Sequence, residues 1–437
     1  MSKPPEKLRS ANSVLSDSSE EEKEPASEGQ ETIVAEYTRP SLKHRHTLFI
    51  QRNLSFSKEG SFHSNPEFAT PRSSRILKLR LSESLEGGFE EVELDFLDDF
   101  DSADFLDKDV KFLFGAVWSM LRVLGVIERF CLCPKSLQAY LKELLSLYGG
   151  GLDREDEGKM KGRQKEEEKE REKRSVQNFA RAVSVMHSLY WMLRHSPFLS
   201  VFDDVGVLAL MFSALIQRVD RRGKTSSFEV KTRSILALRY NDRSVLENHS
   251  CSVGFSLLQK EGLNFLCGMD AQEFLMMKEL AIDFVLMNDP SNHLSLRHSL
   301  KTAWASHPLE EFSHQKSEER FRLLCASALF AVSSTLQARP FEQAARWSDL
   351  ARQELIDLAE FEERKGLPTT PAFGNLVRDP VAYFQEVVFL SLIAVPVFED
   401  LNALLSDSLA PLLTHLRANL CSWETLLGQE TEPASAN

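Results

Sequence analysis

The chain has 437 residues, 42% of them hydrophobic, with 29 Phe and a formal net charge of −13. That is enough apolar surface for a large core, and the acidic balance argues against nonspecific nucleic-acid binding. Six Cys, none in CxxC spacing, do not make a disulfide framework and are expected as free thiols in a reducing compartment.

The N-terminus MSKPPEKLRS has no apolar core of a signal peptide. Residues 1–88 are rich in Ser, Glu and Pro, with few clustered aliphatics, so they are expected to be disordered. Within them lies a basic island, Arg39–Arg52, carrying Leu48, Phe49 and Ile50. It reads either as a short docking or membrane-surface segment or simply as a basic tail. Ser41, Thr47 and Ser55 follow basic residues at short spacing, a weak pattern for phosphorylation.

Apolar periodicity then predicts a helix over Val110–Arg129 and another over Leu137–Tyr148. The Gly149-Gly150-Gly151 run ends the second, and Arg154–Arg174 is almost wholly charged. Residues 151–174 are expected as a charged insertion, either a solvated helix or a flexible segment. Further helical faces fall in Ala182–Leu193, Val205–Ile216, Phe274–Met287, Phe321–Val332, Phe341–Phe361 and Tyr383–Phe398. Gly and Pro punctuate the gaps, and no period-2 strand or internal repeat separates them. The expectation is one all-α domain over residues 93–427, with a tail at 428–437. No uninterrupted apolar run is long enough to span a bilayer; the longest, Val387–Phe398, contains Pro396.

Leu236–Ser250 (LALRYNDRSVLENHS) is the most informative stretch. Tyr240-Asn241-Asp242 interrupts a helix, and Ser244 with Glu247 three residues later has the spacing of a capping box that restarts it. This string resembles the middle of the catalytic domain of class I 3′,5′-cyclic nucleotide phosphodiesterases. There a second His follows; here that position is Ser250.

The resemblance implies a compact multi-helix, HD-type catalytic domain. It also implies two divalent metals held by His and Asp, a His general acid, and a Gln with an apolar clamp for the base. The family's H-N-x-x-H-A-x-x-V motif aligns with Gln177-Asn178-Phe179-Ala180-Arg181-Ala182-Val183-Ser184-Val185. Gln177 stands at the general-acid position and Arg181 at a metal position. The H-D-x-D-H-x-G motif aligns with Gln217-Arg218-Val219-Asp220-Arg221-Arg222-Gly223, putting Gln217 and Arg218 at two more metal positions. Leu280-Ala281-Ile282-Asp283 matches L-A-T-D, with Ile in place of Thr. Arg339-Pro340-Phe341 fixes the register of a further motif and places the fourth metal Asp on Ser333. Trp347, Glu354 and Gly366-Leu367-Pro368 continue the pattern. In the last motif the base-reading Gln becomes Glu386, while the clamp Phe remains as Phe389.

Arg has no lone pair for a metal, and Gln cannot donate a proton as an acid at neutral pH. The expectation is therefore a remnant pocket of Asp220, Arg221, Tyr240, Glu247, Asp283, Glu386 and Phe389, with no catalytic residue and no metal cofactor. The expected function is a catalytically inactive binding or regulatory homologue, cytoplasmic, with an unidentified protein partner and weak or no cyclic nucleotide. The alternative is an active phosphodiesterase hydrolysing cAMP or cGMP; a third reading is a sensor that binds without hydrolysis. One of Arg181, Arg218 and Arg221 is expected to pair with Glu247 or Asp283, guanidinium standing in for metal. Of the remaining histidines, His187, His195, His249, His293, His298, His307, His314 and His415, none has paired-ligand spacing.

Overall fold

Helix follows helix because each apolar face has only another helix to cover it. The computed structural model describes residues 88–148, 164–334, 336–369 and 383–431, and gives only the backbone at 164–177, 334 and 429–431. The described residues fall within one compact unit, Thr70–Asn437. No strand occurs among them. The helices are α1 (Leu94–Asp98), α2 (Val110–Val123), α3 (Val126–Arg129), α4 (Pro134–Tyr148), α5 (Gln164–His195), α6 (Asp204–Ile216), α7 (Ser226–Lys231) and α8 (Ile235–Arg239). They continue as α9 (Val245–Leu257), α10 (Ala271–Met287), α11 (His293–Trp304), α12 (Glu318–Ser334), α13 (Phe341–Arg364), α14 (Tyr383–Leu404) and α15 (Ala410–Thr431). The expected disorder at 1–88 and the basic island fall outside the described residues, apart from Gly88.

The expected helix over Val110–Arg129 is two helices. Gly125 adopts φ 76°, a left-handed conformation that ends α2 and starts α3 in a new direction. Asp109 starts α2 by accepting from the Phe112 amide, and Asp203 starts α6 by accepting from that of Gly206. Of the charged insertion, 164–174 is the first part of α5, which runs on without a break into the Gln177 motif. Residues 149–163 are outside the described set. At the other end α15 continues to Thr431, past the expected boundary at 428.

α6 lies at the centre, packed on α5 and α10, and every residue of it from Val205 to Ile216 is buried. A helix apolar on all sides needs neighbours on all sides. α9 approaches it closely at Gly254, where an added Cβ would stand 2.8 Å from Ile216 Cγ2. Glycine is therefore required sterically at that crossing. The turn after α6 and the start of α9 are held together as a result, and the candidate site is built there.

Arg339, which fixed the motif register, is almost fully buried. Its guanidinium donates to the carbonyls of Phe100 (3.0 Å) and Ala103 (2.7 Å), to His187 Nδ1 (2.9 Å) and to Ser188 Oγ (3.3 Å). It also stacks over the Phe100 ring at 4.1 Å. His187 accepts at Nδ1 and donates from Nε2 to the Leu97 carbonyl. Burial and the neighbouring Arg339 charge hold its pKa well below the ordinary histidine value, so it is neutral. Arg339 thus ties the segment after α1 to α5.

The apolar stretch 387–398 lies inside a longer helix, Tyr383–Leu404. α14 continues through Pro396, because a π-helical segment at Leu390–Ala394 loosens the ladder and Pro396 falls in the first turn of the segment that follows. The resulting run Tyr383–Leu404 is long and apolar enough for a bilayer by length and composition. It packs against α15 and contributes Leu390, Ala394, Phe398 and Leu401 to the core. All six cysteines are free thiols.

Candidate functional site

The site is assembled where the end of α6, the start of α9, the end of α10 and the end of α12 meet α5. The turn following α6 is unusual. Asp220, Arg222 and Gly223 all have positive φ (57°, 51° and 68°), a region that costs energy for a residue such as Arg. The Ser250 hydroxyl stabilises it by donating to the Val219 carbonyl at 2.9 Å. Ser250 occupies the position where the resembled motif has His, and its role here is to brace the backbone.

The four positions assigned to metal ligands fall together. Gln217 and Ser333 are each 2% exposed, and buried Asn288 bridges them. Ser333 Oγ donates to Asn288 Oδ1 (3.1 Å), and Asn288 Nδ2 donates to Gln217 Oε1 (2.7 Å). Arg181 Nη2 donates to the Ser333 carbonyl (3.0 Å), and Arg221 Nη2 donates to the Gln217 carbonyl (2.6 Å). A chain of neutral hydrogen-bonding groups thus runs from Arg181 to Arg221 through Ser333, Asn288 and Gln217. Each neutral member is satisfied by a neighbour, as burial requires.

Arg221 also pairs with Glu247 at 3.1 Å. Glu247 is 1% exposed, and Ser226 Oγ donates to its second oxygen at 3.1 Å. The expected guanidinium–carboxylate pair is present, and Arg221 makes it. Arg218 makes no ion pair or hydrogen bond through its guanidinium with any described residue. Burial, together with the charges of Arg181 and Arg221, pushes its pKa down to about 9, still charged at neutral pH. Arg181 is pushed down as well, first by burial, with Glu354 and Glu386 pulling the other way and Arg221 adding to the fall.

Asp283 does not join this group. Its carboxylate binds Arg322 Nε on α12 at 2.8 Å, and Arg322 also binds Glu279 at 2.9 Å. Asp220 turns to two other partners: His249 Nε2 donates to it at 2.9 Å and Arg222 Nε at 2.8 Å. Burial pushes the Asp220 carboxyl up, but these two donors outweigh it and leave it below its usual value. Tyr240 lies beside the His249 ring, 6.5 Å between centroids. Glu386 receives a 3.4 Å contact from Gln337 Nε2, and burial pushes its carboxyl upward. Phe389 is partly buried against the core at the start of the π segment. The side chain of Gln177 is outside the described residues.

The capping-box reading of Ser244 fails. Ser244, at the N-cap with φ 41°, makes no side-chain capping hydrogen bond; its hydroxyl donates to Asp289 Oδ2 at 2.7 Å, while Glu247 is drawn to Arg221. Two contributors went unrecognised in the sequence. Asn288 carries no motif, and only its position at the end of α10 signals a polar group inside. His249 lacked a partner at ligand spacing, because Asp220 is 29 residues away in sequence.

The donor set does not suit a divalent pair. Two of the four ligand positions carry cations, and the other two carry an amide and a hydroxyl already used by Asn288. No group of three or more His, Cys, Asp or Glu with metal-holding geometry occurs among the described residues.

Comparison with known proteins places this arrangement. Residues 177–416 match the 3′5′-cyclic nucleotide phosphodiesterase family. The mouse 3′,5′-cyclic-AMP phosphodiesterase 4C is 30% identical over 245 residues, 55% of this chain and 35% of its own length. The Drosophila melanogaster high affinity cGMP-specific 3′,5′-cyclic phosphodiesterase 9A is 27% identical over 334 residues, 76% of this chain and 20% of its own length. The chain thus spans well under two thirds of these curated relatives. The phosphodiesterase domain of the RhoPDE fusion protein of the choanoflagellate Salpingoeca rosetta superposes with a TM-score of 0.66. It is 25% identical and is matched over 97% of its length and 77% of this chain.

Proposed function

The chain belongs to the 3′,5′-cyclic nucleotide phosphodiesterase family, and from that premise we propose that it is a member without hydrolytic activity, serving as a binding or regulatory subunit. One observation carries the reading. Arg181, Gln217, Arg218 and Ser333 stand at the four metal-ligand positions, and the neutral two are tied to each other through Asn288. A metal pair would supply a hydroxide nucleophile and clamp the phosphate. Ligating it demands lone pairs or negative charge, and this site offers guanidinium groups.

The family likeness also fits an active enzyme, the alternative reading, and the phosphodiesterase names of its relatives favour it. What opposes it is the ligand chemistry. A protein partner, cytoplasmic location and peripheral membrane contact through Arg39–Arg52 remain proposals that rest on the sequence.

Glu386 bears on the nucleotide. A Gln amide can present either donor or acceptor to a purine edge, whereas an ionised Glu only accepts. Phe389 can still stack against a base. Cyclic nucleotides are therefore expected to bind weakly, in the high-micromolar range or worse, about −5 kcal/mol or less favourable. The test is to assay the purified chain with cAMP and cGMP in Mg²⁺ or Mn²⁺, with calorimetry alongside. No turnover and weak binding are expected. Turnover near the ~1–10³ s⁻¹ usual for enzymes would overturn the silent reading. Sub-micromolar binding without turnover would replace it by the sensor.

A further inference from the structure

We propose that α8 is a docking point for an anionic lipid surface, with Ile235 and Leu238 entering the bilayer and Arg233, Arg239 and Arg243 meeting the headgroups. The inference concerns a face outside the candidate site and is independent of whether the chain hydrolyses a nucleotide.

The first argument is exposure. Ile235 is 75% exposed and Leu238 70%, the highest values for large hydrophobic side chains among the described residues. Single exposed aliphatics are ordinary on protein surfaces. Here two stand three residues apart on one turn, a spacing that puts them on the same face of the helix. Arg239, four residues after Ile235, shares that face, while Ala237 is buried on the other.

The second argument is local shape. α8 has five residues, and left-handed residues bound it: Arg233 (φ 50°) before it, Asn241 (54°) and Asp242 (59°) after it. Its start is fixed by the Ser234 side chain, which accepts from the Ala237 amide at 3.1 Å. Its end is fixed by the Asp242 amide, which donates to the Ala237 carbonyl at 2.9 Å. The chain therefore presents a fixed knuckle, a single turn with two aliphatic tips. A stable protein interface takes roughly 800 Å² from each partner, more than one turn offers. A bilayer sets no such minimum, because each apolar side chain partitions into it separately.

The third argument is charge. Residues 230–243 carry four basic side chains and one acid, Asp242, a local net charge of +3 in a chain of −13. Lys231 turns away to Glu362 at 3.2 Å. Arg233, Arg239 and Arg243 are all exposed, and their guanidinium groups form no ion pair with a described residue. Anionic headgroups attract each of them, and that attraction acts together with the apolar insertion. An uncharged apolar partner would match the aliphatics but not the arginines.

The test is co-sedimentation of the full chain with phosphatidylcholine vesicles, with and without about one third phosphatidylserine, at low and at physiological salt. Binding is expected to the anionic vesicles alone and to weaken as salt rises. Ile235→Ser/Leu238→Ser should lower the affinity by about tenfold or more. Arg233→Gln/Arg239→Gln/Arg243→Gln should abolish the preference for anionic lipid. Both variants change exposed side chains, so their melting temperatures should match that of the parent. Leu275→Ser alters another exposed aliphatic (64%), on α10, and should leave binding unchanged. No binding by the parent would overturn the proposal. Full binding by Ile235→Ser/Leu238→Ser would overturn it too, and would place the membrane contact on Arg39–Arg52. Self-association of the parent in sedimentation, lost in that double variant, would assign the knuckle to a second copy of the chain instead.

Discussion

Glu247→Ala is expected to destabilise the fold by about 3–5 kcal/mol, the usual cost of breaking a buried ion pair by deleting one partner. Glu247 is 1% exposed and ion-pairs with Arg221 at 3.1 Å. Without it, the Arg221 guanidinium would lose its ion-pair partner. Ser226 would lose its acceptor as well. Denaturant unfolding of parent and variant gives the number directly. Glu247→Gln keeps the shape and the Ser226 contact but not the charge, so it should lose a large part of the same amount. A loss under about 1 kcal/mol for Glu247→Ala, the range of a solvent-exposed pair, would mean that the buried pair with Arg221 contributes little.

The second large effect lies away from the site. Arg339→Ala should cost about 3–5 kcal/mol, because it both empties volume in the core and orphans buried acceptors. The carbonyls of Phe100 and Ala103 and the Nδ1 of His187 would lose their donor. Phe100 would lose the guanidinium stacked on its ring. Arg339→Lys restores the charge but can reach only part of this fan of acceptors, since a single ammonium lacks the planar fork. It should recover only part of the loss. If equilibrium unfolding shows Arg339→Ala within about 0.5 kcal/mol of the parent, as for an ordinary surface change, the anchoring role is wrong.

These two residues also show how far the sequence could be read. Arg339 was legible as a register mark, because Arg-Pro-Phe stands in a recognisable string. Its contacts were not, since they join segments more than 150 positions apart. The succession of helices was legible because apolar spacing repeats within each one. Breaks set by backbone conformation were harder: Gly125 splits one expected helix, while Pro396 fails to break another. At the site, the motif alignment set Gln217 and Ser333 at ligand positions, which the fold joins through Asn288, and of the three arginines expected to reach Glu247 or Asp283 it is Arg221 that pairs with Glu247. Pairings made across the fold escaped it. Asp283 was grouped with the pocket, yet Arg322 on a neighbouring helix takes it. Ser244 had capping-box spacing, yet its left-handed backbone and the nearby Asp289 redirect the hydroxyl. Local pattern constrains what a residue can do, and the neighbours brought by packing decide what it does.

The central claim is that this member of the family lacks the chemistry for a metal pair, and elemental analysis of the purified full chain tests it most directly. The protein would be incubated with excess Mg²⁺, Mn²⁺ or Zn²⁺, desalted and analysed, together with the double variant Gln217→His/Arg218→Asp. The account predicts no stoichiometric divalent ion in the parent. It predicts no hydrolysis in the double variant, because Arg181 and Ser333 would still occupy the other two ligand positions. About two tightly held divalent ions per parent chain, lost when the site residues are changed, would contradict it.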